Sequence, residues 1–365
     1  MDTGVRVLRG AFLVAAAVLL AAPAARAEVN IETVPVGNPG NADDTHGGGF
    51  GGVGYEYRIG KYEVTAGQYC EFLNAVDPNG SNAHGLYNSS MDTNSYGCQI
   101  TRNAGASAYD FSGAPSGSAS DWEKRPVNYV SWYDAAMFAN WLTSGNIHQG
   151  AYNTSAGANW GDSDAGYYTG ITPRGSAAMD ALVGTYGKVY LIPTEDEWYK
   201  AAYYNPAGPG YYDYPTSSDT APGYVDDDGE LSGTSTVFFD GVGDPGNYAT
   251  YDGDGGTDSI GSPYYRTEAG EWENSDSPYD TFDQGGNVWE WNEALISDDS
   301  RGLRGGSFNR DDDGLPAWAR HGDDPTDEFE HFGFRVSEVP EPASIALLAL
   351  GGVGLALRRR RARTA

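Results

Sequence analysis

Residues 282–291 read FDQGGNVWEW. Adjacent Gly285 and Gly286 argue against a helix, and a core strand rarely carries acids at both Asp283 and Glu290. Backbone freedom, oxygen donors and the indoles of Trp289 and Trp291 therefore meet in one short stretch. Two readings fit it. In the first, a glycine turn points carbonyls inward beside the acids and makes a nest for a hard cation. Ca²⁺ takes about six to eight oxygens at about 2.3–2.6 Å. In the second, the stretch is a turn between buried tryptophans, with Glu290 paired to an arginine such as Arg304.

Upstream of this stretch, three segments carry helix-start chemistry. Thr65-Ala66-Gly67-Gln68, Ser131-Trp132-Tyr133-Asp134 and Thr194-Glu195-Asp196-Glu197 each put a hydroxyl three residues before an acid or amide. The hydroxyl can accept from the N3 amide while the N3 side chain returns to the cap, and apolar residues follow at helical spacing. Short β-like pieces precede them at 57–59, 127–130 and 189–192, and two more lie at 303–308 and 332–336. Residues 203–280 are rich in Gly, Asp, Ser, Pro and Tyr without apolar period. Disordered segments are poor in aromatics, so this composition predicts ordered loops held by aromatic packing. The sum is an α+β, loop-rich domain with a small mixed sheet and about three short helices.

Both ends of the chain read as targeting segments. Arg6 and Arg9, an apolar run from Ala11 to Ala22 and then Ala25-Arg26-Ala27 form a secretory signal peptide over 1–27. Residues 28–54 read as an irregular entry segment, glycine-rich from Gly37 to Gly54. The main domain takes 55–337. Residues 338–365 hold Val339-Pro340-Glu341-Pro342, an apolar run from Ala343 to Leu357 and a closing arginine cluster, which resembles a PEP-CTERM sorting signal of Gram-negative bacteria. That resemblance implies delivery to the cell surface or extracellular matrix, with membrane attachment or processing through the tail.

Between residues 28 and 357 there are 14 basic and 50 acidic side chains, a net charge of −36. Such a surface argues against nucleic acid and anionic lipid as partners and suits solubility, high salt or calcium. Cys70 and Cys98 are the only cysteines. In an exported chain the pair reads first as a disulfide, with two unpaired buried thiols as the alternative.

Taken in order, YEVTAGQYCEFLNAV, RPVNYVSWYDAAMFANWL, LIPTEDEWYKAAYY, GGNVWEWNE, LRGGSF and FGFRV resemble the formylglycine-generating enzyme family, the sulfatase-modifying factor domain. The resemblance implies a C-type-lectin-like fold fixed by calcium. It implies that Asp283 and Glu290 give side-chain oxygens while Gly286 and Val288 give carbonyls. A second site would use the Asn247 and Asp252 side chains with the Tyr248 and Asp254 carbonyls.

Aerobic members of that family oxidise a sulfatase cysteine with copper(I) held by two thiolates. The matching places here, three residues after the serine of RGGS and five further on, hold Arg310 and Leu315. Neither side chain binds copper(I), which needs soft sulfur ligands, so copper-dependent oxidation is not expected. His321 and His331 lie among aspartates and glutamates, a pattern that fits a solvated acidic loop better than an iron site. No GxSxG elbow, P-loop or HExxH occurs. The expected function is binding or display at the surface, toward a matrix polysaccharide or a surface protein. Tyr204, Tyr211, Tyr212, Trp318 and Phe329 are candidate contacts. A formylglycine-generating-type oxidoreductase, or a related enzyme with a non-cysteine site, is the alternative.

Overall fold

All three expected helix starts fold as capping boxes. The Thr65 hydroxyl accepts from the Gln68 N–H (3.2 Å) while Gln68 Oε1 accepts from the Thr65 N–H (2.9 Å). Ser131 with Asp134 and Thr194 with Glu197 repeat the exchange. Each box satisfies amides that the first helical turn leaves unbonded.

The computed structural model describes residues 29–46, 48–103, 108–115, 118–154, 168–208, 210–225, 244–253, 260–297 and 300–339. In chain order these form β1 (Thr33–Val36), β2 (Tyr57–Gly60), α1 (Ala66–Val76), α2 (Ser90–Thr93), β3 (Thr101–Arg102) and β4 (Tyr109–Asp110). Next come α3 (Ala119–Glu123), α4 (Trp132–Ser144), β5 (Tyr152–Thr154), β6 (Tyr168–Ile171), α5 (Ala177–Tyr186) and β7 (Val189–Leu191). The last third holds α6 (Glu195–Tyr203), β8 (Trp289–Ser297), β9 (Ser300–Arg304), β10 (His321–Asp323), β11 (Phe332–Gly333) and β12 (Ser337–Val339). The signal peptide and the tail beyond 339 lie outside the described residues.

Two four-stranded sheets organise the domain. The first runs β1-β2-β12-β7, antiparallel throughout, so the last strand in sequence is inserted between two much earlier ones. The second runs β10-β9-β8-β11 and is mixed, because β11 pairs parallel to β8 while the other pairs are antiparallel. Helix α4 is apolar on nearly every face and, apart from half-buried Tyr133, buried from Trp132 to Thr143, as a helix inside a core must be. Phe138 on α4 meets Phe72 of α1 at 5.2 Å and Phe334 at 5.4 Å, both edge-on. Buried indoles spend their N–H groups on backbone: Trp132 donates to the Asn292 carbonyl and Trp291 to the Val130 carbonyl, each at 3.0 Å.

Four expectations are corrected. The entry segment is not wholly irregular, since β1 pairs with β2 from Thr33↔Gly60 to Val36↔Tyr57. Six α-helices occur among the described residues, not three; α2, α3 and α5 are the additions. Residues 127–130 form no strand: Tyr129 takes φ +56°, and the Asn128 amide donates to the carbonyls of Tyr96 and Glu330. This apolar run is buried among loops that satisfy it, so no ladder is required. Cys70 and Cys98 are both buried in the main core and unbonded. Burial pushes the Cys70 thiol up to about 12. The aromatic loops are as expected where described: Tyr204 packs on Tyr211 and Tyr279, Tyr248 on Trp272, and Tyr224 on Tyr251.

Candidate functional site

An open cleft of about 510 Å³ lies over the mixed sheet, and its lining includes Trp289, Arg310, Asp311, Asp313, Trp318 and His321. Trp289 of β8 is the floor, 8% exposed, with the His321 ring of β10 at 5.5 Å. The loop from 310 to 320 closes onto this floor because Gly314 has no side chain. A Cβ there would stand 2.9 Å from Gly306 Cα and 3.1 Å from Trp289 Cζ2. Leu315 is fully buried against Ala249 and Tyr251, and its carbonyl accepts from the Tyr203 hydroxyl at 3.0 Å.

The same loop is clamped on both sides of Trp318. Arg304 of β9, wholly buried, donates through Nη1 to the carbonyls of Ala317 (2.9 Å) and Ala319 (2.5 Å). Its guanidinium pairs with Glu195 at the start of α6, at 2.7 Å. Arg320 makes a two-point contact with the same carboxylate, 2.7 and 2.6 Å. Glu195 thus sits between two arginines, and Phe50 covers both guanidinium groups at 4.8 and 5.0 Å. With Ala317 and Ala319 buried and tied, Trp318 has to face outward, and 60% of its surface is exposed.

The places that family copper cysteines would occupy are therefore filled in opposite ways. Leu315 is a core anchor, while Arg310 is exposed at the cleft. His321 and His331 do not converge. They belong to β10 and to the residue before β11, the two edges of the mixed sheet. His331 is buried against Phe329 and Phe332.

A second constellation surrounds the opening stretch. Asp283, Gly286 and Asn287 all take positive φ, at 59°, 83° and 54°, so the turn read from the glycines exists. Gly286 is required there, because a Cβ would meet the Thr250 carbonyl oxygen at 2.2 Å. Glu290 is fully buried and paired with Arg335, not Arg304: Nε and Nη2 each reach a carboxylate oxygen at 2.6 Å, and Trp198 Nε1 donates at 2.8 Å. Asp283 accepts from the Gly270 N–H at 2.6 Å, and burial pushes its carboxyl up to about 7. Glu63 is buried with neither oxygen hydrogen-bonded, and burial together with the Asp283 charge holds its carboxyl well above the usual range. Among the described residues Arg335 thus forms its ion pair with Glu290 alone, while burial disfavours the charged forms of Glu63 and Asp283, which have no partner guanidinium.

The other expected oxygen cluster is less gathered. The Asn247 oxygen accepts from the Thr216 hydroxyl at 2.6 Å, and Tyr248 N–H donates to Ser275 Oγ at 2.9 Å. Asp252 N–H bonds the Arg310 carbonyl at 2.8 Å, and Asp254 lies outside the described residues. Among the described residues no three His, Cys, Asp or Glu side chains converge as a metal site by themselves.

Of the expected contact aromatics, Trp318 and Phe329 are exposed. Tyr211 is an internal strut: it accepts from Asn41, donates to the Ala42 carbonyl and packs on Tyr199. Tyr204 is likewise packed between Tyr211 and Tyr279, and Tyr212 is half-buried. Reasoning from sequence missed Glu63, Glu195 and Arg320 as site residues, and weighed Asp311 and Asp313 only as part of an acidic loop beside the histidines. Only Glu195 carried a signal, as the first helical residue after a strong cap.

No curated protein matches the chain. Among solved structures, "Crystal Structure of CarF" is 20% identical with a TM-score of 0.49, covering 84% of this chain and 98% of that one. "Treponema denticola variable protein 1" is 21% identical with a TM-score of 0.43, over 85% and 95% of the two chains. PvdO from Pseudomonas aeruginosa is 16% identical with a TM-score of 0.41, over 84% and 91%. Residues 338–361 match the PEP-CTERM protein-sorting motif, which marks an exported protein with a C-terminal sorting signal. Residues 53–339 match the sulfatase-modifying factor enzyme 1-like domain, and the chain belongs to that family.

Proposed function

We propose that this exported protein is a non-catalytic binding module, displayed at the cell surface or in the matrix on a scaffold braced by calcium. One observation carries the reading: the position where family enzymes need a second thiolate is a buried core leucine, Leu315, and the cleft beside it presents a clamped, exposed indole. A soft metal has no sulfur ligand there, whereas an exposed aromatic on fixed backbone is the form of a ligand contact. Incubation with a Cys-x-Pro-x-Arg peptide, copper and oxygen is expected to yield no aldehyde. Aldehyde formation would overturn the reading.

Calcium would be held by the Asp283 and Glu290 carboxylates and the Gly286 and Val288 carbonyls, with Glu63 adjoining. Bound there, the ion supplies charge neutralisation and fixes the turn; it takes no part in chemistry. The unbonded Glu63 oxygens support a cation in this neighbourhood, whereas both Glu290 oxygens are held by Arg335 and Trp198, contacts they would have to release to bind the ion. Asn247, Tyr248, Asp252 and Asp254 would form a second, weaker site.

A further inference from the structure

The lining of the cleft carries both signs of charge around one aromatic plate. Asp311 and Asp313 are exposed acceptors, Arg310 is an exposed donor, and Arg320 shows an edge of its guanidinium beyond Glu195. An anion bound on Trp318 would face two carboxylates, and a cation would face a guanidinium. Either would leave a like charge desolvated against it. A neutral hexopyranose meets no such conflict. Its neighbouring hydroxyls donate to carboxylate and accept from guanidinium, and its C–H face lies flat on an indole.

The rest of the molecule points the same way. A net charge of −36 over residues 28–357 repels polyanions before they reach the cleft. Trp318 and Arg320 are held by Arg304 and Glu195, so little rotamer and loop entropy is lost when a weakly interacting ligand binds. The volume lies within the range of about 300–1,000 Å³ usual for small-ligand clefts, and its open side lets a chain continue beyond the bound unit. Resting on the binding-module reading above, we infer that the cleft takes pyranose units of a neutral polysaccharide, stacked on Trp318 and hydrogen-bonded by Asp311, Asp313 and Arg310. No cation is needed for this contact.

Native affinity electrophoresis of the purified full chain tests the assignment. Gels would contain dextran, glucomannan or hydroxyethylcellulose as neutral polymers and alginate or polygalacturonate as anionic ones, with a lysine-rich peptide titrated separately. At least one neutral polymer should retard the protein, and added sodium chloride should leave the retardation unchanged. Trp318→Ala, an exposed substitution that leaves folding intact, should weaken retention about tenfold or more. Asp313→Asn, which keeps an acceptor, should weaken it much less. Binding confined to the anionic polymers or to the peptide would overturn the neutral-saccharide assignment and leave the binding module standing. Failure of all three classes to bind would overturn both.

Discussion

Arg335 and Glu290 show how much a single buried contact can hold. Both are fully buried, and the guanidinium also donates to the carbonyls of Gly60 (3.0 Å) and Phe282 (2.8 Å), joining the first sheet to the turn. Arg335→Met would leave Glu290 buried without its counter-charge, with Glu63 and Asp283 beside it. Loss of one partner of such a pair costs about 3–5 kcal/mol, and urea unfolding of the variant should show a loss of that order. Gly286→Ala should also destabilise, by more than about 1 kcal/mol, because its Cβ meets backbone oxygen at 2.2 Å and its φ is +83°. Trp318→Ala, by contrast, removes an exposed side chain and should shift stability by less than about 0.5 kcal/mol.

At the scale of elements, the helix caps and one acidic loop give separate tests. Thr194→Ala removes the hydroxyl that accepts from Glu197 N–H at 3.0 Å and should cost about 1 kcal/mol in thermal or urea unfolding. The loop between β10 and β11 docks on α4 through Trp132 N–H to the Pro325 carbonyl (3.1 Å) and through Glu328, which accepts from Asn88 and faces Asp134. Asp134 is itself bound by Ser131 N–H and hydroxyl, at 2.9 and 2.7 Å. Burial and the Asp134 charge raise the Glu328 carboxyl to about 9. Its folded value therefore exceeds the unfolded one of about 4.3, so its contribution is complete below that pH and fades as pH rises to about 9. Melting temperature should fall across this window, and Glu328→Gln should flatten the fall. An unchanged pH profile in the variant would assign the slope to other groups.

For the molecule as a whole, charge and calcium act on the same property and can be separated. With −36 over residues 28–357, self-repulsion opposes the folded state, and added sodium chloride should raise the melting temperature by screening it. At matched ionic strength, calcium chloride should raise it further and EGTA should remove that increment, as binding to the native state alone requires. Equal melting temperatures in calcium and sodium would sink the cation site. The outline of the molecule was legible beforehand because it rests on local chemistry: three capping boxes, a glycine turn and tyrosine-rich loops. Strand β1 and the fate of residues 127–130 were not, since their states depend on partners far along the chain; helix α5 was missed although its Ser176 cap on Met179 N–H is local.

By itself the sequence determined where three of the helices start, that a turn lies within residues 282–291, that the domain is acidic, and that no thiolate pair stands at positions 310 and 315. These are properties of single residues and of spacing over a few neighbours. Tertiary structure alone decided that Glu290 pairs with Arg335 rather than Arg304, that Cys70 and Cys98 lie unbridged, and that Trp318 is exposed while Tyr211 is a strut. Each depends on which distant segments share a space. The physical reason is that charge pairing, burial and exposure are set by neighbours in three dimensions, whereas capping and turning are settled within a few residues of chain.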